Sequence, residues 1–284
     1  MRRALLIFFV IMLLANVVLV PSVVFAKTTV ALGSRWNVDA DEQSYDESLA
    51  DHIVAAASAA EYKTYDLYGA DTTTDNILSA ASAFDDAGSD DTVFYIGHGD
   101  SEYVWHGIFY EEQWYIRDDA GNHVHDEDIY PHSACRNVVL TFLWSCRQGD
   151  VIGDWHWSGT PYGMPLAWLH TNDLSNDGYA NPDGNGYTFI GFHGPAPYLT
   201  NTDPQFTEGS DAAYPLYSFA VEFYSALFGY YTNQRDVNEA LDYAAIKVWG
   251  VRFSDCVLYT GYNTPLGQGR MVVYGDGDLL LPTG

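Results

Sequence analysis

TVFYIGHGD, residues Thr92–Asp100, is one of two apolar runs in this chain that end in a residue able to carry out chemistry. The other is NVVLTFLWSC, residues Asn137–Cys146. Each run is rich in β-branched and aromatic residues, which predicts a strand buried on both faces, as in a parallel sheet. Function in an open α/β sheet collects beyond the carboxyl ends of the strands, so His98 and Cys146 are the first candidates for a site.

These two strand ends complement each other chemically. If the strands are neighbours, a spacing of roughly 4.8 Å brings an imidazole beside a thiol. The thiolate is the nucleophilic form of cysteine, and a nearby imidazole can accept its proton. Gly99 lets a substrate carbonyl approach the backbone, and the N–H groups of Gly99 and Cys146 could hold a developing oxyanion. The sequence therefore predicts a catalytic pair, His98 and Cys146, with an oxyanion hole beside it.

The two motifs together resemble a known group of enzymes. Gly97–Gly99 (GHG) is followed, about 50 residues on, by Ser145–Gly149 (SCRQG), as in the caspase–legumain–gingipain group of cysteine peptidases. The second motif is more similar to the Cys-x-x-Gly of legumain-like enzymes than to the caspase pentapeptide. The resemblance implies a caspase-like, three-layer α/β/α fold and a His98–Cys146 dyad that requires neither a third, orienting acid nor a cofactor. It also implies oxyanion donors at Gly99 and Cys146.

The pattern around these runs predicts the same class of fold. Strands at Thr28–Val38 and Lys63–Tyr68 alternate with helical periodicity up to Phe84, which predicts a doubly wound, mostly parallel α/β sheet with flanking helices. A turn signal between the polar segments Gln113–Arg117 and His123–Ile129 predicts an inserted hairpin. The later predicted elements are helices at Pro161–His170, Tyr214–Phe228 and Asp236–Trp249, and strands at Gly186–Phe192, Val257–Tyr259 and Met271–Tyr274.

The N-terminal segment has the composition of a targeting signal. A charged start, a long apolar run to Val20 and small residues up to Ala26 predict a secretory signal over residues 1–26 that is cleaved after Ala26. An uncleaved membrane anchor is the alternative, because the apolar run approaches spanning length. Residues 27–284 then form one peptidase domain, secreted or on the cell surface.

The charge balance restricts the partners. The chain has 38 acidic and 12 basic residues, a formal net charge of −26. Nucleic acid is therefore a poor partner, because phosphate binding needs basic patches. We expect a peptide or protein substrate, and a membrane contact only if the N-terminal segment is retained. A high-salt or calcium-rich habitat would explain the acidity, but we prefer ordinary solubility of an extracellular surface.

The cysteine count leaves two possibilities open. The chain has three cysteines, and an odd number in a secreted protein suggests one free thiol. Cys135 and Cys256 could form a disulfide and leave Cys146 reduced, or both could be buried, unpaired thiols. Only the distance between them decides.

One loop offers oxygen ligands. Asp173, Ser175 and Asp177 alternate before a glycine, and Asp183 continues the supply, which is the pattern of a calcium loop. The twelfth position holds Gly184 instead of the glutamate of an EF-hand, and an Asx-rich turn without metal is the alternative. Calcium stabilises several relatives of the group that the motifs resemble. The sequence thus leaves open a structural calcium site at these four oxygen-bearing residues.

Two other clusters compete with the main site. His193–Gly194 is a second His-Gly at a strand end, so His193 is a rival base. Histidines at 123 and 125 with acids at 126–128 could hold a metal, but we prefer a solvated hairpin face, because spacing alone is weak evidence for a metal site.

The function that these features predict is a secreted cysteine endopeptidase that works through a thioester acyl-enzyme. Acidic loops, including Asp173 and Asp177, favour a basic residue ahead of the cut bond. The alternatives are a catalytically inactive binding module, a transpeptidase that uses the same dyad, and a metal hydrolase at the 123–128 cluster.

Overall fold

A computed structural model describes residues 27–82, 90–135, 137–151, 163–171 and 186–282. The strands are β1 (Thr28–Gly33), β2 (Lys63–Tyr68), β3 (Asp91–Ile96), β4 (Gly99–Trp105), β5 (Tyr110–Arg117), β6 (His123–His125), β7 (Val138–Trp144), β8 (Thr188–His193), β9 (Tyr262–Thr264) and β10 (Gly267–Gly275). The helices are α1 (Ala40–Ala59), α2 (Thr74–Ala81), α3 (Asp126–His132), α4 (Met164–Trp168), α5 (Pro204–Thr207), α6 (Pro215–Leu227), α7 (Val237–Trp249) and α8 (Val257–Thr260). The predicted signal segment lies outside the described residues. Within them, no helix combines the length and apolarity that a membrane crossing requires.

The main sheet has seven strands in the order β2-β1-β3-β7-β8-β10-β9. The first five of these are mutually parallel, β10 runs antiparallel to β8, and β9 runs antiparallel to β10. A separate three-stranded antiparallel sheet, β4-β5-β6, is inserted between β3 and β7. The predicted class, a mostly parallel α/β sheet with an inserted hairpin, is confirmed.

Helices cover both faces of the main sheet because its central strands are apolar on both sides. Phe94 and Phe142 pack edge to face at 5.9 Å and belong to the core under α1, α6 and α7. Tyr95 and Leu143, one residue further along, belong to the opposite core under α2, α3 and α4. Every residue of β3 and β7 is buried, as the two apolar runs predict.

The order of connections creates a crevice at one edge of the sheet. From β1 the chain passes through α1 to β2, and then through α2 back across β1 to β3. The winding therefore reverses at β1, which opens a crevice beyond the carboxyl ends of β1 and β3. Since β7 pairs with β3 in parallel register, with Ile96 opposite Trp144, its carboxyl end meets the same crevice.

Three predicted strands are wrong in part or in whole. The strand predicted over Thr28–Val38 ends at Gly33. The strand predicted over His123–Ile129 ends at His125, and α3 begins at Asp126. Three consecutive acids in the first turn of α3 favour a helix start there, because they interact with the positive end of the helix dipole. Val257–Tyr259 is helical in α8, since an apolar run of three residues does not distinguish a strand from a helical turn.

Candidate active site

A cavity of about 110 Å³ lies in the crevice beyond β1, β3 and β7. Its lining residues are Val38, Glu42, Asp46, Ile96, Gly97, His98, Trp144, Cys146, Ala196, Pro197, Tyr198 and Leu266. The strand pairing continues past the strand ends, because the Gly97 N–H donates to the Trp144 carbonyl at 3.4 Å. His98 comes one residue after this hydrogen-bonded pair and Cys146 comes two residues after it, and both line the same cavity.

The His98 ring is oriented by the loop that follows β1. Its Nε2 lies 3.2 Å from the Asn37 carbonyl oxygen, and the Trp36 ring meets it edge to face at 5.8 Å. Since a carbonyl only accepts hydrogen bonds, this contact places the imidazole proton on Nε2 and leaves Nδ1 as the acceptor. A backbone carbonyl here supplies the orientation that a third acid supplies in other sites. Asn37 itself has a left-handed backbone, φ 53°, and no sequence pattern points to its role.

The peptide after His98 is held by a buried tyrosine. The Tyr95 hydroxyl lies 3.1 Å from the His98 carbonyl and donates to the Arg117 carbonyl at 2.6 Å. Tyr95 is completely buried, and burial raises the pKa of its phenol, so the hydroxyl keeps its proton. The turn that carries His98 is therefore tied to both β3 and β5.

Cys146 is half-buried against the loop after β8. The Ala196 N–H donates to Sγ at 3.3 Å. Burial raises the pKa of the Cys146 thiol, an effect that the Ala196 N–H opposes and the Asp100 charge reinforces. The thiol is thus protonated at neutral pH, and a base has to remove its proton when it reacts.

Gly99 fits a space that admits no side chain. A Cβ there would overlap Ser145 Oγ and come within 2.6 Å of Gln148 Nε2 and 2.8 Å of the Tyr115 carbonyl. The Arg117 N–H donates to the His98 carbonyl, so Gly99 and Ile116 form a pair without direct hydrogen bonds. The Gly99 N–H then points away from β5 and is not used by the ladder.

Two acidic residues also line the cavity, which the sequence interpretation missed. Glu42 and Asp46, on the first turns of α1, line the cavity and are 3% and 2% exposed. The Glu42 carboxylate accepts from the Leu199 N–H, from the Thr200 N–H at 3.0 Å and from the Thr200 hydroxyl. Asp46 Oδ1 has no hydrogen-bond partner among the described residues.

Asp46 keeps its proton in this setting. Burial raises the pKa of Asp46 to about 9, and the neighbouring Glu42 charge adds to the effect. A neutral carboxyl group beside an ionised one is the usual outcome when two acids share a site with little water. A cationic group that entered the cavity would lower the pKa of Asp46 and favour its ionised form.

Arg147 connects the turn after β7 to the inserted sheet. Its guanidinium lies 2.7 Å from Ser101 Oγ, 3.1 Å from Asp150 and 3.3 Å from both Asp100 and Glu112. Its backbone is left-handed, φ 61°, and its N–H donates to the Gly194 carbonyl at 2.7 Å. The residue after the candidate nucleophile is therefore fixed at both backbone and side chain.

His193, the rival base, lies in different surroundings. Its Nδ1 is 2.6 Å from Asp150 Oδ1, and its Nε2 is 3.2 Å from the Tyr274 hydroxyl. It lines a second cavity with Gly194 and residues of β9 and β10, and it does not line the cavity of Cys146. Both ring nitrogens of His193 contact a hydrogen-bonding group, whereas Nδ1 of His98 points away from the Asn37 carbonyl that contacts Nε2.

The structure describes only some of the remaining predicted residues, which are two cysteines and four calcium ligands. Cys256 is a free, buried thiol, and burial raises its pKa to about 11. The side chain of Cys135 lies outside the part of the chain that the structure describes. All four predicted calcium ligands, Asp173, Ser175, Asp177 and Asp183, lie outside the described residues. The calcium site therefore stays a prediction.

No family model matches the chain, and no curated protein matches it in sequence. Several solved structures are similar in outline. A protein from Geobacter sulfurreducens has a TM-score of 0.46 and 15% identity, covering 91% of this chain and 97% of its own. Caspase-1 from Spodoptera frugiperda has a TM-score of 0.45 and 11% identity, covering 88% and 86%. The complex of the RgpB pro- and mature domains from Porphyromonas gingivalis has a TM-score of 0.43 and 15% identity, covering 91% and 48%. At these values the similarity concerns the outline of the fold and assigns no activity.

Proposed function

We propose that this chain is a secreted cysteine endopeptidase in which Cys146 is the nucleophile and His98 moves the proton. The observation that carries the proposal is that an imidazole and a half-buried thiol, from the carboxyl ends of two adjacent parallel strands, line one cavity. The imidazole has a carbonyl partner on Nε2, so its other nitrogen is available as an acceptor. Secretion rests on the composition of residues 1–26, with cleavage after Ala26.

The reaction follows from these two groups. His98 accepts the thiol proton as Cys146 Sγ attacks the peptide carbonyl and forms a carbon–sulfur bond. The oxyanion is held by the N–H groups of Gly99 and Cys146. The carbon–nitrogen bond then breaks, and the leaving amine takes the proton from His98. Water adds to the thioester, the carbon–sulfur bond breaks, and the proton returns to the thiol as the acid product leaves.

A basic residue ahead of the cut bond fits the cavity. The oxygens of Glu42 already accept three hydrogen bonds from the loop at Leu199 and Thr200, whereas Asp46 retains an unused oxygen. Apolar walls from Ile96 and Trp144 suit the carbon stem of lysine or arginine. Asp46 is protonated in the free protein, and a cationic substrate group beside it would lower its pKa and let it form an ion pair.

Labelling and turnover test the dyad. The secreted protein is treated with a thiol-directed peptide chloromethylketone, and hydrolysis of a fluorogenic peptide library is followed by mass spectrometry. Cys146→Ser should abolish labelling and turnover, and His98→Ala should lower kcat/KM about 100-fold or more, the usual contribution of an acid–base group. Cys256→Ser and His193→Ala are the matched controls and should keep most activity.

The outcomes separate the alternatives. The absence of both Cys146-dependent labelling and turnover would indicate an inactive binding module, and products joined to added amines would indicate a transpeptidase. Loss of activity in His193→Ala with activity retained in His98→Ala would overturn the assignment of the base.

Substrate preference is tested with the same library. We expect cleavage after arginine or lysine, and Asp46→Asn should lower kcat/KM for these substrates at least about 30-fold, equivalent to 2 kcal/mol. Any residual cleavage after a neutral residue should change much less. A wild-type enzyme that cuts only after aspartate or asparagine would contradict the basic preference and leave the peptidase proposal intact.

A further inference from the structure

Two histidines and a glutamate converge on the inserted sheet, away from the cavity of Cys146. His123 Nδ1 and His125 Nε2 lie 2.6 Å and 2.8 Å from the same oxygen, Oε1 of Glu102. The three potential ligand atoms all lie within 4.8 Å of one another. The histidines are two residues apart on β6, so they point to one face of the strand, and Glu102 reaches them from β4 across the central strand β5.

The rings are held in position by their neighbours. Tyr115, on β5, stacks on His123 with ring centroids 3.7 Å apart and an angle of 2° between the planes. His125 presents Nε2 to the cluster, while its Nδ1 lies 3.5 Å from Asp128 Oδ2. A carboxylate behind a histidine that faces an ion orients the ring and raises its basicity, and such partners accompany most histidine ligands.

We propose that Glu102, His123 and His125 bind a divalent transition metal of the zinc class. Two imidazole nitrogens and one carboxylate oxygen suit Zn²⁺, whereas calcium and magnesium prefer oxygen ligands throughout. The side chains of the two histidines and Glu102 are 23%, 19% and 39% exposed, so an ion can enter from solvent and a water molecule can complete a four-ligand set.

The ligand set differs from the one that the sequence indicates. Asp126 points into the core, where its Oδ2 accepts from the Gly163 N–H at 2.6 Å, and Asp128 lies behind His125 and away from the shared oxygen. The third ligand, Glu102, is 21 residues before His123 and is brought close only by the folding of the inserted sheet. The ion would join the two outer strands, β4 and β6, of the sheet that begins directly after His98.

Metal binding is measured on the full mature chain with Cys146→Ser, because a free cysteine and His98 could themselves bind zinc. Isothermal titration calorimetry with Zn²⁺, carried out in millimolar Mg²⁺ that occupies weak acidic sites, should show one zinc site. Elemental analysis after dialysis should show one zinc per chain. Glu102→Gln, His123→Ala and His125→Ala should each lower the affinity at least about 100-fold, and Asp128→Asn by about 10- to 100-fold.

His132→Ala is the matched control, because His132 is exposed, lies on the next helix and is not part of the cluster. It should bind zinc as the parent does. Glu102→Gln keeps an oxygen that accepts from both rings, so its melting temperature in chelator should equal that of the parent. The proposal is overturned if the parent binds no zinc under these conditions, or if binding survives unchanged in the three ligand variants.

Discussion

A buried carboxyl group with no cationic partner keeps its proton, and among the described residues Asp46 is in that position. Its pKa in the folded protein is about 9, against an ordinary value of 3.8. Between these two pH values the folded chain holds a proton that the unfolded chain releases, so stability falls as pH rises through this window. An acid that is useful for substrate recognition thus lowers the stability of the free protein.

Asp46→Asn should remove this pH dependence, because asparagine has the shape of the protonated acid and does not ionise. At about 1.36 kcal/mol per pH unit, the gain in the free energy of unfolding at pH 7 is roughly 2–4 kcal/mol, while at pH 4 the two proteins should be nearly equal. Urea unfolding at several pH values measures this. Asp41→Asn, an exposed change on the same helix, is the control. Parallel stability curves for Asp46→Asn and the parent would contradict the pKa assignment.

The positions of these acids carried a signal in the sequence. Glu42 and Asp46 continue the helical stripe of Leu49, Ile53 and Ala57 on the buried face of α1. Carboxylates on an apolar stripe are rare unless they are paired or functional, so the stripe itself marked them as candidates. The role of the Asn37 carbonyl had no such signal, because every residue has a backbone carbonyl and the residue type does not show which one will bind a side chain.

At the scale of elements, the apolar runs were enough to predict how β3 and β7 lie. Two strands buried on both faces belong in the middle of a parallel sheet, and parallel register brings their carboxyl ends together, so His98 and Cys146 were predictable as neighbours. The position of Glu102 beside His123 was not predictable, because it depends on the pairing of β4 with β5. The sequence of β4 is too polar and irregular to be predicted as a strand. Local patterns identify buried strands better than exposed ones.

Arg147 should act as a positioning residue between two elements. Its side chain holds the β4–β5 hairpin, which begins at Gly99, against the turn that carries Cys146. Arg147→Met keeps the carbon stem and removes the charge, and we expect kcat/KM to fall about tenfold, mainly in kcat. The free energy of unfolding should fall by only about 1 kcal/mol, because the Arg147 side chain is 39% exposed and its ion pairs are screened.

Two variants test this interpretation of Arg147. Arg147→Lys retains a charge but not the forked geometry and should be intermediate. Arg252→Met, at an exposed position, should leave both kcat/KM and stability unchanged. A fall in stability without a fall in kcat would show that the contacts of Arg147 serve the fold alone.

At the scale of the whole molecule, the net charge of −26 opposes the compact state and attracts cations. Salt shortens the range of the repulsion, from about 30 Å at 0.01 M to about 10 Å at 0.1 M. The melting temperature should therefore rise over this range, equally with sodium and choline chlorides. Calcium at the same ionic strength should raise it further if the four predicted calcium ligands bind the ion, and Asp177→Asn should remove only that further rise. A melting temperature that is independent of salt would mean that the acidic residues are too far apart, or too well paired, for their repulsion to affect folding.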